Sequence, residues 1–82
     1  ECCVLATPHS LDWGRVGLAE TLDTLRRAGI RTAGAGDDAA HAARPATLGV
    51  APGRRVLVSA YAADTSGVPP SWAATPRRGG LN

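Results

Sequence analysis

Leu18-Ala19-Glu20-Thr21-Leu22-Asp23-Thr24-Leu25-Arg26-Arg27-Ala28-Gly29-Ile30 carries the strongest local signal in the chain. Leu18, Leu22 and Leu25 recur at i, i+4 and i+7, with Ala19 and Ala28 beside them. That spacing gives one apolar stripe on a helix. Glu20, Asp23, Arg26 and Arg27 fall mostly away from it. Acidic residues lean toward the start and arginines toward the end, which suits the helix dipole. Gly29 supplies the stop, because glycine takes the left-handed conformation that ends helices. The spacing predicts a helix over 15–28.

Working outward, the helix is flanked by two apolar runs. Glu1 to Ala6 reads as a short, fully buried strand. Ile30 to Ala33 reads as a second. A strand, helix and strand in this order form a right-handed βαβ unit when the strands are parallel. Gly34-Ala35-Gly36 reads as a turn. Asp37 or Asp38 is placed to cap a second short helix, 38–43, which must stop before Pro45. Residues 46–50 and 54–62 read as two strands joined at Ala51-Pro52-Gly53, a Pro-Gly turn. The last twenty residues, rich in proline and glycine, read as a loop with one helical turn at 71–74. The fold class is α/β, in the order β-α-β-α-β-β.

Composition bounds the rest. A chain of 82 residues makes one small domain at most. It buries roughly 60% of its surface on folding. The only aromatic residues are Trp13, Tyr61 and Trp72, so Ala and Gly fill much of the apolar share. The net charge is +2 and every basic side chain is Arg. The arginines occur singly or in pairs, without the stripe expected of a nucleic-acid binder. Tyr61 and Trp72 lack basic residues interleaved with them, so packing accounts for both better than base stacking. Cys2 and Cys3 are adjacent and point to opposite faces of a strand, a geometry unsuited to a disulfide. Neither belongs to a Cys-x-x-Cys pair. They read as small apolar residues.

Ligand sites in parallel sheets lie beyond the carboxyl ends of the strands. The loop Thr7-Pro8-His9-Ser10-Leu11-Asp12-Trp13-Gly14 sits at such an end. It holds an imidazole, a hydroxyl and a carboxylate. A His there serves as a metal ligand or general acid. Asp12 also reads as an N-cap for the helix. His9, Ser10 and Asp12 are too close in sequence for a catalytic triad, whose members converge from distant segments. Gly34-Ala35-Gly36-Asp37-Asp38-Ala39 has dinucleotide-loop spacing, but two aspartates stand where the pyrophosphate belongs. It is read as a turn followed by a cap. His41 has only Asp37 at i±4 and reads as a solvated surface residue.

Together these pieces resemble the CapA-type capsule and poly-γ-glutamate biosynthesis family. There a strand ends in Leu-Ala-Asn-Asn-His, followed by Asp, an aromatic residue, Gly and a helix. Here the same stretch reads Leu5-Ala6-Thr7-Pro8-His9, then Asp12-Trp13-Gly14. Leu18 to Ile30 matches the family's helix pattern. Gly34-Ala35-Gly36, Ala43-Arg44-Pro45, the hairpin and Gly67-Val68-Pro69-Pro70 follow in family order.

The resemblance implies a fragment of a calcineurin-like metallophosphoesterase-type layered sheet fold. Residues 1–82 would be a partial domain, truncated at both ends. The early Gly-Asp metal motif and the later histidine motifs of the family do not occur in it. A divalent metal (Mn, Mg, Fe or Zn) is implied for the complete family domain. In that comparison the Asn before the His is a ligand, and here it is Pro8, which has no ligating side chain. His9 carries over as the charge-stabilising or acid residue, with Asp12 orienting it. These two are the candidate catalytic residues. The implied partners are the rest of the parent domain and the capsule-synthesis machinery. The implied setting is membrane-associated and extracytoplasmic. The fragment alone is expected to be inactive; a degenerate, non-catalytic structural or polymer-binding role is the alternative.

Overall fold

A computed structural model describes residues 1–82. The elements are β1 (Cys2–Val4), α1 (Gly14–Arg27), β2 (Arg31–Ala33), β3 (Ala35–Gly36), α2 (Ala39–Ala43), β4 (Ala46–Ala51), β5 (Arg54–Val58) and β6 (Gly80–Leu81). Two short 3-10 turns, Asp64–Ser66 and Pro70–Trp72, lie in the C-terminal third.

The βαβ unit is present. β1 and β2 pair in parallel, Cys2 opposite Arg31 and Val4 opposite Ala33. α1 forms one residue earlier than its sequence suggests at each end. Its stripe is inward, with Leu18 and Leu22 buried. Gly29 ends it at φ 75°. The Gly29 amide donates to the Arg26 carbonyl, and the Ile30 amide to the Leu25 carbonyl at 2.9 Å. This pair of bonds is a Schellman motif, closing carbonyls that the helix end leaves orphaned.

Four expectations are corrected. Ala35–Gly36 is a strand rather than a turn. It pairs antiparallel with β6, Ala35 opposite Leu81 and Gly36 opposite Gly80. The final segment is therefore not simply a loop; it returns to cover the middle of the chain. β1 is not fully buried: Cys2 and Cys3 are half-buried and unpaired, and Val4 is exposed. An all-apolar strand calls for cover on both faces, and this chain does not supply both. Tyr61 is exposed rather than packed: β5 ends at Val58, and the segment beyond it is held through its neighbours, Ala60 and Ala62, which are half-buried and bonded to Asn82.

The strands form three separate two-stranded ladders, β1-β2, β3-β6 and β4-β5. The architecture is small and mixed α/β. The core sits between α1 and the C-terminal return: Leu11, Leu18, Leu22, Ala35, Val68 and Leu81 cluster there. Leu5, Ala62 and Trp72 pack against it.

Candidate functional site

The loop between β1 and α1 is ordered by its own hydrogen bonds. The Ser10 hydroxyl donates to the Leu5 carbonyl at 2.5 Å. Its single proton is thereby used, so the Thr7 hydroxyl, 3.0 Å away, must donate to it. The Asp12 amide donates to the His9 carbonyl, and the Gly14 amide to the Leu11 carbonyl. Leu11 turns inward and anchors the loop in the core. Ser10 is thus a strut for the loop, with no hydrogen bond to His9.

His9 and Asp12 are brought together. His9 Nδ1 lies 3.0 Å from Asp12 Oδ2, with side chains 83% and 49% exposed. An ionised carboxylate only accepts, so Nδ1 carries the proton and donates. In the neutral ring, Nε2 is then the free lone pair. So exposed a contact adds little to stability; its effect is to fix tautomer and ring orientation. Asp12 does not cap α1. The residue at that position is Trp13, with no side-chain cap bond. The Asp12 carboxylate faces His9 instead.

His9 opens onto a groove of about 590 Å³, which Leu5, Trp13, Glu20 and Thr21 also line. Trp13 is 89% exposed. Gly17 gives it room: a Cβ there would lie 2.6 Å from the Trp13 Cβ. Sequence reasoning missed Gly17, although its place one turn after an aromatic residue was a usable signal.

His41 also has a carboxylate partner, and it is Asp38 rather than Asp37. Asp38 Oδ1 lies 3.1 Å from His41 Nδ1 and accepts the His41 backbone N–H at 2.8 Å. Asp37 is turned toward Arg26 at 3.6 Å. Chiefly because of that backbone N–H, the Asp38 carboxyl is held below its ordinary 3.8, with the His41 charge adding to the effect. The Gly34-Ala35-Gly36 stretch is covered by β6 and is not an open phosphate cradle.

A metal centre needs converging donors. No group of three or more His, Cys, Asp or Glu side chains converges anywhere in the chain. No buried polar side-chain atom lacks a hydrogen-bond partner. Pro8 presents no donor beside His9. The residues of this chain therefore do not fit a complete metal site by themselves.

Comparison with known proteins supplies the context for this loop. The family described as "Bacterial capsule synthesis protein PGA_cap" matches residues 1–82. The chain belongs to this bacterial capsule synthesis family. It is 48% identical over 79 residues to a "Probable polyglutamine synthesis accessory protein" of Mycobacterium tuberculosis. That match covers 96% of the chain and 21% of the relative. It is 42% identical over 71 residues to an uncharacterized protein of Sinorhizobium fredii, covering 87% of the chain and 15% of that relative. The chain thus spans about a fifth or less of the lengths of these relatives. No helix in it is long and apolar enough to cross a membrane.

Proposed function

We propose that the chain is one section of a capsule and poly-γ-glutamate biosynthesis protein of metallophosphatase-type layered fold. The single observation carrying this is the His9–Asp12 pair, held at the carboxyl end of β1 in a chain of the capsule synthesis family. His9 meets the reacting group through Nε2, giving a proton or stabilising developing negative charge. Asp12 is a positioning residue that acts through Nδ1. The β1-β2 pair is one part of the layered sheet, the rest of which comes from the remainder of the parent. A divalent metal in the complete domain would take its ligands from that remainder, since this chain brings no three donors together. The 82 residues alone are inactive. The parent works beside the capsule-synthesis machinery, in a membrane-associated, extracytoplasmic setting.

The test is complementation. A strain lacking the parent gene is supplied with the parent or its His9→Ala variant, and released polymer is measured. The variant is expected to restore about a hundredth of the polymer or less, as for loss of an acid group. Full restoration overturns the assignment. Asp12→Ala is expected to move the neutral His9 proton from Nδ1 toward Nε2, seen in ¹⁵N imidazole shifts. An unchanged tautomer removes Asp12 from its positioning role. The purified 82-residue chain with added Mn²⁺ is expected to show no turnover of a phosphodiester.

Pro8 favours a second reading, a non-catalytic structural or polymer-binding protein. Pro8→Asn in the parent separates the two. A gain in bound metal and activity supports a lost ligand, and no change in either rejects it.

A further inference from the structure

The groove beside His9 has a wall that the proposed function does not use. Trp13, Gly17, Glu20, Thr21 and Thr24 fall at i, i+4, i+7, i+8 and i+11, and all line it as one stripe along α1. Gly17 has no side chain and leaves a trough between Trp13 and Glu20. Leu5 and Leu25 add apolar wall.

The groove differs in charge from the rest of the chain. No arginine lines it, although the chain carries a net charge of +2. Glu20 is its one carboxylate and has no cation within ion-pair distance. The hydroxyl protons are committed inward. Thr7 donates to Ser10, Ser10 to the Leu5 carbonyl and Thr21 to the Gly17 carbonyl. Their oxygens keep lone pairs for a ligand. Neutral His9, with its proton on Nδ1, adds the lone pair of Nε2. The lining therefore accepts hydrogen bonds more than it donates them.

This balance narrows the ligand. Glu20 repels an anion. A sugar hydroxyl both donates and accepts, and only the Thr24 hydroxyl and the Trp13 indole N–H remain as uncommitted side-chain donors to meet it. A metal ion needs converging donors, which the chain does not bring together. A primary ammonium only donates, through its three N–H groups. Its alkyl chain suits an indole face and leucine walls. The start of a helix is positive, but Glu20 lies two turns in, beyond the reach of that end.

We propose that this groove binds a primary alkylammonium group, with Glu20 and the Thr21 oxygen at the nitrogen and Trp13 against the alkyl chain. That the amine is a substrate beside His9 rests on the proposed function; the binding itself does not.

The probe is n-hexylammonium, titrated into the ¹⁵N-labelled protein, with hexanol and hexanoate as its neutral and anionic counterparts. The Trp13 indole N–H signal reports contact. The amine is expected to saturate in the millimolar range, and both counterparts to bind at least about tenfold more weakly. Glu20→Gln is expected to weaken amine binding about tenfold, and Trp13→Ala, followed at the Gly17 and Thr21 amides, about threefold or more. Asp64→Asn, which removes equal charge from an exposed turn outside the groove, is expected to change it about twofold or less. Glu20 and Trp13 are exposed, and the dispersion of each spectrum checks that the variant is folded. Equal affinity for hexanol, equal losses from Glu20→Gln and Asp64→Asn, or absence of binding would overturn the proposal. So would a full-length parent whose Trp13 signal the amine leaves unmoved, since the remainder of the parent would then fill the groove. If the amine fails to bind while His9→Ala still abolishes polymer production in the parent, the amine is rejected and the proposed function stands.

Discussion

Asp38 shows what one carboxylate does for a five-residue helix. Its backbone is extended, and its side chain accepts the His41 N–H three residues on, an N-cap contact. The folded-state pKa is lowered, so the sign follows directly. The stabilisation is fully present above the ordinary carboxylate value of 3.8 and is lost as pH falls through the lower folded value. In acid titration, amide signals of Ala39–Ala43 are expected to lose their native positions below that value in the wild type. Asp38→Asn, which still caps, is expected to flatten the response, and Asp38→Ala to weaken α2 at every pH. An Asn variant with the wild-type profile would detach the effect from Asp38. This cap was legible in the sequence because an aspartate pair stands directly before an Ala-rich run. Asp12 satisfied a similar pattern and was misread. Gly14 enters α1 with φ 71°, and a histidine three residues back takes the carboxylate. Local capping preference does not register that competition. The partner of His41 is hidden in the same way, since i±4 spacing points to Asp37 and the contact is at i−3.

Among elements, α1 was legible and β6 was not. The leucine stripe and Gly29 define α1 within a residue at each end. Gly80–Leu81 has no periodicity to reveal it; it becomes a strand only because β3 lies alongside. Its contribution to packing is nonetheless large. Leu81 is 2% exposed and touches the cluster formed by Leu18 and Leu22. Leu81→Ala is expected to cost about 2–5 kcal/mol, the range for truncating a buried leucine. That is much of the stability available to so small a domain. Leu57→Ala, at a site 68% exposed on β5, is expected to stay within about 0.5 kcal/mol. Urea unfolding of both variants checks this, and equal costs would remove β6 from the core. Leu11 and Val68 escaped notice for the same reason as Leu81. Each is a single apolar residue in irregular chain, buried by partners distant in sequence. In the candidate site, the place of His9 in the loop after β1 drew attention to it, while the residues alone pointed Asp12 to a cap and only the family resemblance set it beside His9. The groove was not legible, because its walls combine side chains from different elements.

At the scale of the molecule, stability is distributed unevenly along a body of 41 × 26 × 22 Å. The core cluster joins α1 to the C-terminal return. The β4-β5 hairpin is held at its base by buried Ala46, while Val50, Val56 and Leu57 are exposed. Segments with few buried contacts open at lower free energy than the core. Amides of β4 and β5 near the turn are therefore expected to exchange with solvent at least about tenfold faster than those of Leu18 to Leu25. Hydrogen exchange measured residue by residue tests this, and uniform rates would mean that the chain opens only as one unit. The same measurement bears on the parent. In the proposed layered sheet, further strands and their cover lie against β1, whose Val4 is half-exposed here. Protection at Cys2–Val4 is then expected to rise in the full-length protein, while α1 changes less. Unchanged β1 rates in the parent would place this unit at an edge of the molecule and count against the layered sheet.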